Sequence, residues 1–149
     1  MYWKTQKATY SRALTRALLE ALTAIPGAIL LLTPKIALWT DGPMPTPDFD
    51  PATYTLPTFH GYVAAAVTLA GPVNIGGTDQ ALIASVDFTA TSGGPIADTC
   101  NGYMLLDTGL TIPYMIERFA SPIGFGAVGD FLQIDLILPL PMIYQPTVL

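Results

Sequence analysis

Cysteine and histidine each occur only once in this sequence, as Cys100 and His60. A single cysteine excludes an internal disulfide and any zinc site built from several thiolates. A nucleophilic pair would need the two side chains within hydrogen-bond distance, and no motif around either residue supports one. We therefore expect a packed cysteine, a histidine in a loop, and neither a metal nor a cofactor.

Charged residues are also scarce, at 11% of the 149 residues, against about 25% in a typical soluble domain. Hydrophobic residues make up 51% of the chain, and the mean hydropathy is +0.47. The length is that of one domain with a sizeable core. Because a soluble monomer needs a charged surface to stay apart from its copies, we expect apolar surface to be buried against partner subunits. Contact with lipid is the alternative.

The few basic residues are unevenly placed. Of the six, only Arg118 lies beyond the first 35 residues, and the net charge is −5. The body of the chain is therefore acidic, which argues against a nucleic-acid-binding face there. The basic segment could meet an acidic neighbour, nucleic acid or lipid headgroups, or could simply be solvated. The other five basic residues are Lys4, Lys7, Arg12, Arg16 and Lys35.

Residues 1–27 are predicted to form an N-terminal arm with one amphipathic helix over residues 11–25, ended by Pro26-Gly27. Arg16, Glu20 and the Pro-Gly break argue against a membrane-spanning helix here, and an interfacial helix is a less favoured alternative. A short helix needs a surface on which to bury its apolar face. We expect that surface to be on a neighbouring subunit, and packing on its own sandwich is the alternative. Candidate interface residues are Leu14, Leu18, Leu22 and Ile25 of the apolar stripe, with Arg12 and Arg16.

Residues 28–138 are predicted to form the body, an antiparallel β-sandwich of the jelly-roll or immunoglobulin-like type. In residues 131–138, for example, apolar and polar residues alternate, as a strand with one buried face requires. Pro113 in the fourth strand below indicates an edge position or a bulge. Residues 43–58 contain five prolines and are expected to form an extended loop, and the segments Gly71–Gly77 and Ser92–Pro95 are interpreted as turns. The predicted strands are Tyr62–Leu69, Ala81–Thr91, Gly102–Leu106, Leu110–Phe119 and Phe131–Leu138.

The last residues, 139–149, include three prolines and no charged side chain. Such an apolar tail would be costly to expose to water. We expect it to dock on a neighbouring subunit, with Ile143 and Tyr144 as candidate contacts, although packing on its own domain is the alternative.

Catalytic motifs are hard to find. Asp48-Phe49-Asp50 has a carboxylate spacing that a calcium site could use, but the other ligands of a calcium loop are missing. The glycine-rich segments lack the lysine of a phosphate-binding loop. We therefore expect no enzymatic activity, and a hydrolase is the least favoured of the classes considered.

Several short segments of strand and turn residues follow one another in a recognisable order. They are Ile36–Asp41, Phe59–Tyr62, Phe88–Thr91, Gly102–Asp107, Glu117–Phe119, Ser121–Phe125 and Gly129–Ile134. This order resembles small virion proteins encoded near the head and tail genes of tailed bacteriophages. The similarity covers about residues 36–138, and it implies a β-sandwich with a structural role and no catalytic residues.

The resemblance and the composition together predict a structural subunit located in the virion. We expect it to act as a capsid decoration or cement protein or a head–tail accessory protein, in contact with its own copies and with major capsid or tail proteins. The alternative is a carbohydrate- or receptor-binding module of an adsorption apparatus. In that case Trp39, Tyr54, Tyr62 and Tyr103 could form a platform for a sugar, although aromatic residues in strands usually belong to the core.

Overall fold

A computed structural model of the chain describes residues 9–10, 34–68, 70–75 and 78–139. The helix predicted over residues 11–25, and therefore most of the arm, lies outside these residues, as do residues 140–149 of the tail. Within the described part, a single 3-10 turn at Pro51–Thr53 interrupts the Pro-rich loop. The strands are β1 (Thr9–Tyr10), β2 (Lys35–Trp39), β3 (Ala65–Ala66), β4 (Ala70–Ile75), β5 (Thr78–Thr89), β6 (Asp98–Leu106), β7 (Pro113–Phe125) and β8 (Phe131–Pro139).

The strands form two antiparallel sheets. One sheet has five strands in the order β1-β7-β6-β2-β3, and the other has three in the order β4-β5-β8. The longest pairing joins β5 to β8, from Ala81 opposite Pro139 to Thr89 opposite Phe131. The prediction of a mainly β chain with antiparallel sheets is confirmed.

Two of the predicted elements are wrong. The strand expected over Tyr62–Leu69 is reduced to Ala65–Ala66, because residues 59–64 form a turn and an irregular segment. The segment Gly71–Gly77, interpreted as a turn, instead contributes most of β4. Gly and Pro are tolerated there because β4 is an edge strand, and its register shifts between Ala70 and Val73, around Gly71-Pro72.

Other boundaries move by a few residues. The strand expected to begin at Leu110 begins at Pro113, because Asp107 closes a turn ahead of it. Pro113 pairs with Leu106 at a register shift between β6 and β7, so the bulge predicted at this proline is confirmed. β7 then runs to Phe125, past the predicted end at Phe119, with a second register shift opposite Cys100 and Gly102.

The main core lies between the sheets and receives side chains from both of them. Val86 and Phe88 of β5 and the alternate residues of β8 are buried, whereas Ser85, Asp87 and Gln133 are exposed. The alternation predicted for β5 and β8 is therefore confirmed over residues 84–89 and 131–136. The large buried side chains on the five-stranded sheet that face this core include Ile36, Leu38, Tyr103, Leu105 and Met115.

The Pro-rich loop covers the opposite face of the five-stranded sheet. Its Phe49 and Tyr54 pack edge-on to each other, with ring centroids 6.0 Å apart, and the Tyr54 ring lies 5.3 Å from that of Trp39. Met104 and Leu106 of β6 belong to the same cluster. The centre of this sheet is thus buried on both faces, and for that reason β2 and the end of β6 are continuous apolar runs rather than alternating ones.

Candidate interaction surfaces

The predicted interface residues lie outside the part of the chain that the structure describes. These are Leu14, Leu18, Leu22, Ile25, Arg12, Arg16, Ile143 and Tyr144. What the structure does describe near them is β1, whose Thr9 and Tyr10 pair with Ile116 and Met115 of β7. Thr9 and Tyr10 therefore form the edge of the five-stranded sheet.

Cys100 and His60 occupy different environments. Cys100 is fully buried, and burial, followed by the nearby Asp98 carboxylate, raises the pKa of its thiol to about 12. His60 is exposed in a loop, where its Nδ1 lies 2.9 Å from Thr91 Oγ1. The expected packed cysteine and loop histidine are confirmed, and a buried thiol with a raised pKa is not a reactive nucleophile.

Carboxylates in the described loops bind backbone N–H groups. Asp50 accepts a hydrogen bond of 3.0 Å from Ala52 N at the start of the 3-10 turn. Asp98 accepts from Thr58 N at 2.6 Å and so holds the Pro-rich loop against β6. Asp130 accepts from Gly126 N and Ala127 N, both at 2.8 Å, and these bonds lower the pKa of its carboxyl group. These aspartates fix loops. Among the described residues, no three His, Cys, Asp or Glu side chains come together as a metal-ligating group.

Asp107 is the most densely bonded of these carboxylates. It accepts hydrogen bonds from the backbone N–H groups of Gly109, Thr111 and Ile112, at 3.1, 2.6 and 2.7 Å. Slight burial raises the pKa of its carboxyl group, but these bonds outweigh that effect and the net pKa is lowered. The six-residue connection between β6 and β7 is therefore built around one ionised side chain, and Leu110 within it adopts a φ of 60°.

The four aromatic residues considered as a sugar platform do not form one. Trp39, Tyr54 and Tyr103 are buried, and Tyr62 is half-buried with its hydroxyl oxygen accepting a hydrogen bond of 3.1 Å from Leu38 N. Tyr62 also stacks on Phe88 at 5.9 Å in the main core. These rings are part of the core on either face of the five-stranded sheet.

Glu117 is a half-buried carboxylate that the sequence analysis did not single out as a site. It lies directly opposite Tyr103, whose hydroxyl donates to Glu117 Oε2 at 2.7 Å. Burial raises the pKa of Glu117, and the bond from Tyr103 partly opposes that rise. The Tyr103 phenol thus occupies this carboxylate and links β6 to β7.

The outer side of β5 and β8 carries a group of exposed polar side chains with two carboxylates, and we call it the acidic β5–β8 face. Ser85 Oγ donates to Asp135 Oδ1 at 2.8 Å, and Gln133 Nε2 donates to Ser85 Oγ at 3.0 Å. Asp87 lies opposite Gln133. The six exposed residues of the face are Ser85, Asp87, Thr89, Phe131, Gln133 and Asp135.

Phe131 gives one end of this face an apolar border. Its side chain is 69% exposed, opposite Thr89, and Val128 in the preceding turn is 56% exposed. The period-two pattern predicted that Leu132, Ile134, Leu136 and Leu138 face inward and that Gln133 and Asp135 face outward. Phe131 has the same parity as Gln133 and Asp135, and the structure places it with them on the outer face.

A groove of about 340 Å³ lies where the Pro-rich loop meets the outer face of the five-stranded sheet. Asp50 caps the 3-10 turn and Thr111 N donates to the Asp107 carboxylate, whereas the buried hydroxyl of Tyr54 has no hydrogen-bond partner within the described residues. Most of the lining is apolar. Its lining consists of Asp50, Pro51, Ala52, Tyr54, Leu56, Met104, Leu106, Leu110 and Thr111.

Comparison with known proteins finds no matching family model, and no curated protein or solved structure shows significant similarity to this chain. No helix within the described residues is long and apolar enough to cross a membrane.

Proposed function

We propose that this chain is a non-catalytic structural subunit of a bacteriophage virion, with capsid decoration or cementing ahead of a role at the neck or tail. In this proposal its body is a β-sandwich of the jelly-roll or immunoglobulin-like type. The N-terminal arm would form a helix that docks on other copies of the chain or on major capsid or tail proteins. The apolar C-terminal tail would dock in the same way.

The observation that carries the proposal is that the segments resembling virion proteins contact one another. Phe59 stacks on Phe125 with ring centroids 4.2 Å apart, and His60 O accepts a hydrogen bond of 2.9 Å from Thr91 N. Ala90 N in turn donates to Asp130 O at 2.9 Å. Segments far apart in sequence thus share one end of the two sheets, where they act as packing and turn residues.

The use of polar side chains supports a structural role as well. Asp98, Asp107 and Asp130 hold loops, and Glu117 is bonded to Tyr103. Ser85, Gln133 and Asp135 remain exposed and bonded to one another on the acidic β5–β8 face. Small-molecule sites are usually concave pockets, so side chains exposed along paired strands are better suited to contact between proteins.

The test is to separate particles of the phage that encodes the chain on a density gradient and to quantify the protein in each fraction by mass spectrometry. We expect it to follow the major capsid protein at a constant ratio through the particle peak. An early, non-structural protein of the same phage serves as the control and should stay at the top of the gradient. If this chain stays there too, the proposal is wrong.

A further inference from the structure

The acidic β5–β8 face has no basic side chain of its own. Within the described residues 34–68, 70–75 and 78–139, the basic residues are Lys35 and Arg118, and both belong to the five-stranded sheet. Arg118 Nη1 lies 3.7 Å from Met44 Sδ, on the side covered by the Pro-rich loop. Asp87 and Asp135 are thus exposed on the outer surface of the other sheet.

The basic residues of the N-terminal segment are attached at a different place. Lys7 and Arg12 lie two residues before and two residues after β1, which pairs with Ile116 and Met115 at the edge of the five-stranded sheet. The two sheets are separated by the shared core. In the sequence, these basic residues therefore flank a strand of one sheet, whereas Asp87 and Asp135 lie on the outer face of the other.

We propose that the acidic β5–β8 face binds the basic N-terminal segment of a second copy of this chain. Because the two surfaces differ, the contact is head-to-tail, and it repeats into a ring or a row of subunits. Complementary charge selects the partner and its register, and the exposed Phe131 supplies apolar contact at the border of the face. This inference rests on the proposed function, a subunit that acts through contacts between subunits.

The experiment measures self-association of the full chain by sedimentation equilibrium in low salt and in about 1 M salt, where charges are screened beyond about 3 Å. Two charge-reversed variants are compared with the wild type: D87K/D135K, which changes the face, and K7E/R12E, which changes the segment. Each alone is expected to weaken association about tenfold or more, because like charges then meet. An equimolar mixture of the two variants is expected to restore it, because opposite charges meet again.

Net charge is controlled with a matched pair of variants. D87N/D135N and A52K/A97K each change the net charge from −5 to −3, and Ala52 and Ala97 are exposed loop residues away from the face. Only D87N/D135N is expected to weaken association. Circular dichroism of each variant shows that the sheets are intact before association is compared.

Three results would overturn the inference. They are association that is insensitive to salt and to both reversals, a wild type that is monomeric at every concentration, and glycan binding that D87K/D135K abolishes while self-association is unchanged. The proposed function is tested separately, since a chain that follows the particle on the gradient can still fail the mixing experiment. A chain absent from the particle can equally pass it.

Discussion

Ile134 is a buried side chain of β8 whose neighbour Gln133 points to solvent, so the pair tests the register of the strand directly. Ile134→Ala removes a side chain from the core between the sheets and is expected to reduce the free energy of unfolding by about 2–5 kcal/mol. Gln133→Ala loses one exposed hydrogen bond to Ser85 and should cost less than about 1 kcal/mol. Urea denaturation of both variants measures the difference, and equal losses would contradict this register.

Gly102 lies where β6 passes close to two neighbours. A Cβ atom there would lie 2.7 Å from Cε2 of the Trp39 indole, and it would also meet the Glu117 carbonyl oxygen. Because a strand carbonyl cannot move aside easily, Gly102→Ala should cost at least the 1–3 kcal/mol or so that is typical of overpacking.

Gly124, on the neighbouring strand β7, is the matched control because a Cβ atom there would meet nothing within 4 Å. Gly124→Ala should leave stability unchanged or increase it by up to about 1 kcal/mol, through a lower entropy of the unfolded chain. Thermal denaturation of the two variants compares them. A tolerated Gly102→Ala would mean that Trp39 and β7 are not packed as described.

The raised pKa of Glu117 predicts that its contribution to stability falls as pH rises, which is the reverse of the usual behaviour of a carboxyl group. Burial raises its pKa in the folded state, so the folded chain holds this proton more tightly than the unfolded chain. The resulting stabilisation is complete below the unfolded pKa of about 4.3 and is lost as pH rises through the folded pKa. Glu117→Gln, which does not ionise, should therefore melt at a higher temperature than the wild type at pH 7.

The gain from Glu117→Gln should shrink as pH falls towards 4, where the wild-type carboxyl is protonated. Tyr103→Phe is the companion variant, since it removes the hydroxyl that donates to Glu117. It should lower the melting temperature at pH 7. A Glu117→Gln variant that is less stable than the wild type at pH 7 would contradict this, because the bond from Tyr103 would then outweigh the cost of burying the charged carboxylate.

Strands could be predicted from the sequence where the local residue pattern matches the environment of the strand in the fold. β8 has one solvent-exposed and one buried face, so the alternation of its residues predicted both its position and its buried side chains. β4 was not predicted, because Gly71-Pro72 is typical of a turn. Only the pairing with β5 makes this segment a strand. The Tyr62–Leu69 strand failed for the opposite reason: its residues favour a strand, but Tyr62 is held in the core by Leu38 and Phe88.

The candidate surfaces were harder to predict than the strands. From the sequence, Trp39, Tyr54 and Tyr103 could belong either to a sugar-binding platform or to the hydrophobic core. No local pattern shows that a loop and a second sheet bury them. The acidic β5–β8 face depends on the register that places Asp87 opposite Gln133 and Ser85 opposite Asp135. Register between strands that are 40 or more residues apart is a property of the folded chain.

The Pro-rich loop covers one face of the five-stranded sheet, and we predict that this packing contributes to the stability of the chain. Phe49 is buried against Tyr54 in the outer cluster, so Phe49→Ala should cost about 3–5 kcal/mol. Met44 lies in the same loop but is 69% exposed, and Met44→Ala should be nearly neutral. Denaturation of the two variants checks the difference. If Phe49→Ala were as mild as Met44→Ala, the loop would not be part of the core.

The molecule as a whole has a two-sheet body with few charges, in which Asp50, Asp98, Asp107 and Asp130 fix loops. Asp87 and Asp135 are exposed on the outer face of the three-stranded sheet, and four of the six basic residues lie within the first 16 residues of the sequence. A molecule with such different surfaces gains from a fixed place among identical neighbours, where each surface meets its complement. We therefore propose that the chain occupies a symmetry-related position in a virion.

A cryo-electron microscopy map of the native particle tests that claim most directly. We predict density for the five-stranded and three-stranded sheets at every equivalent position of the shell, neck or tail, in a copy number fixed by the symmetry of that part. Each copy should contact a neighbour through the acidic β5–β8 face. A well-resolved map in which every part of the particle is assigned to other proteins, with no density that fits these two sheets, would contradict the account.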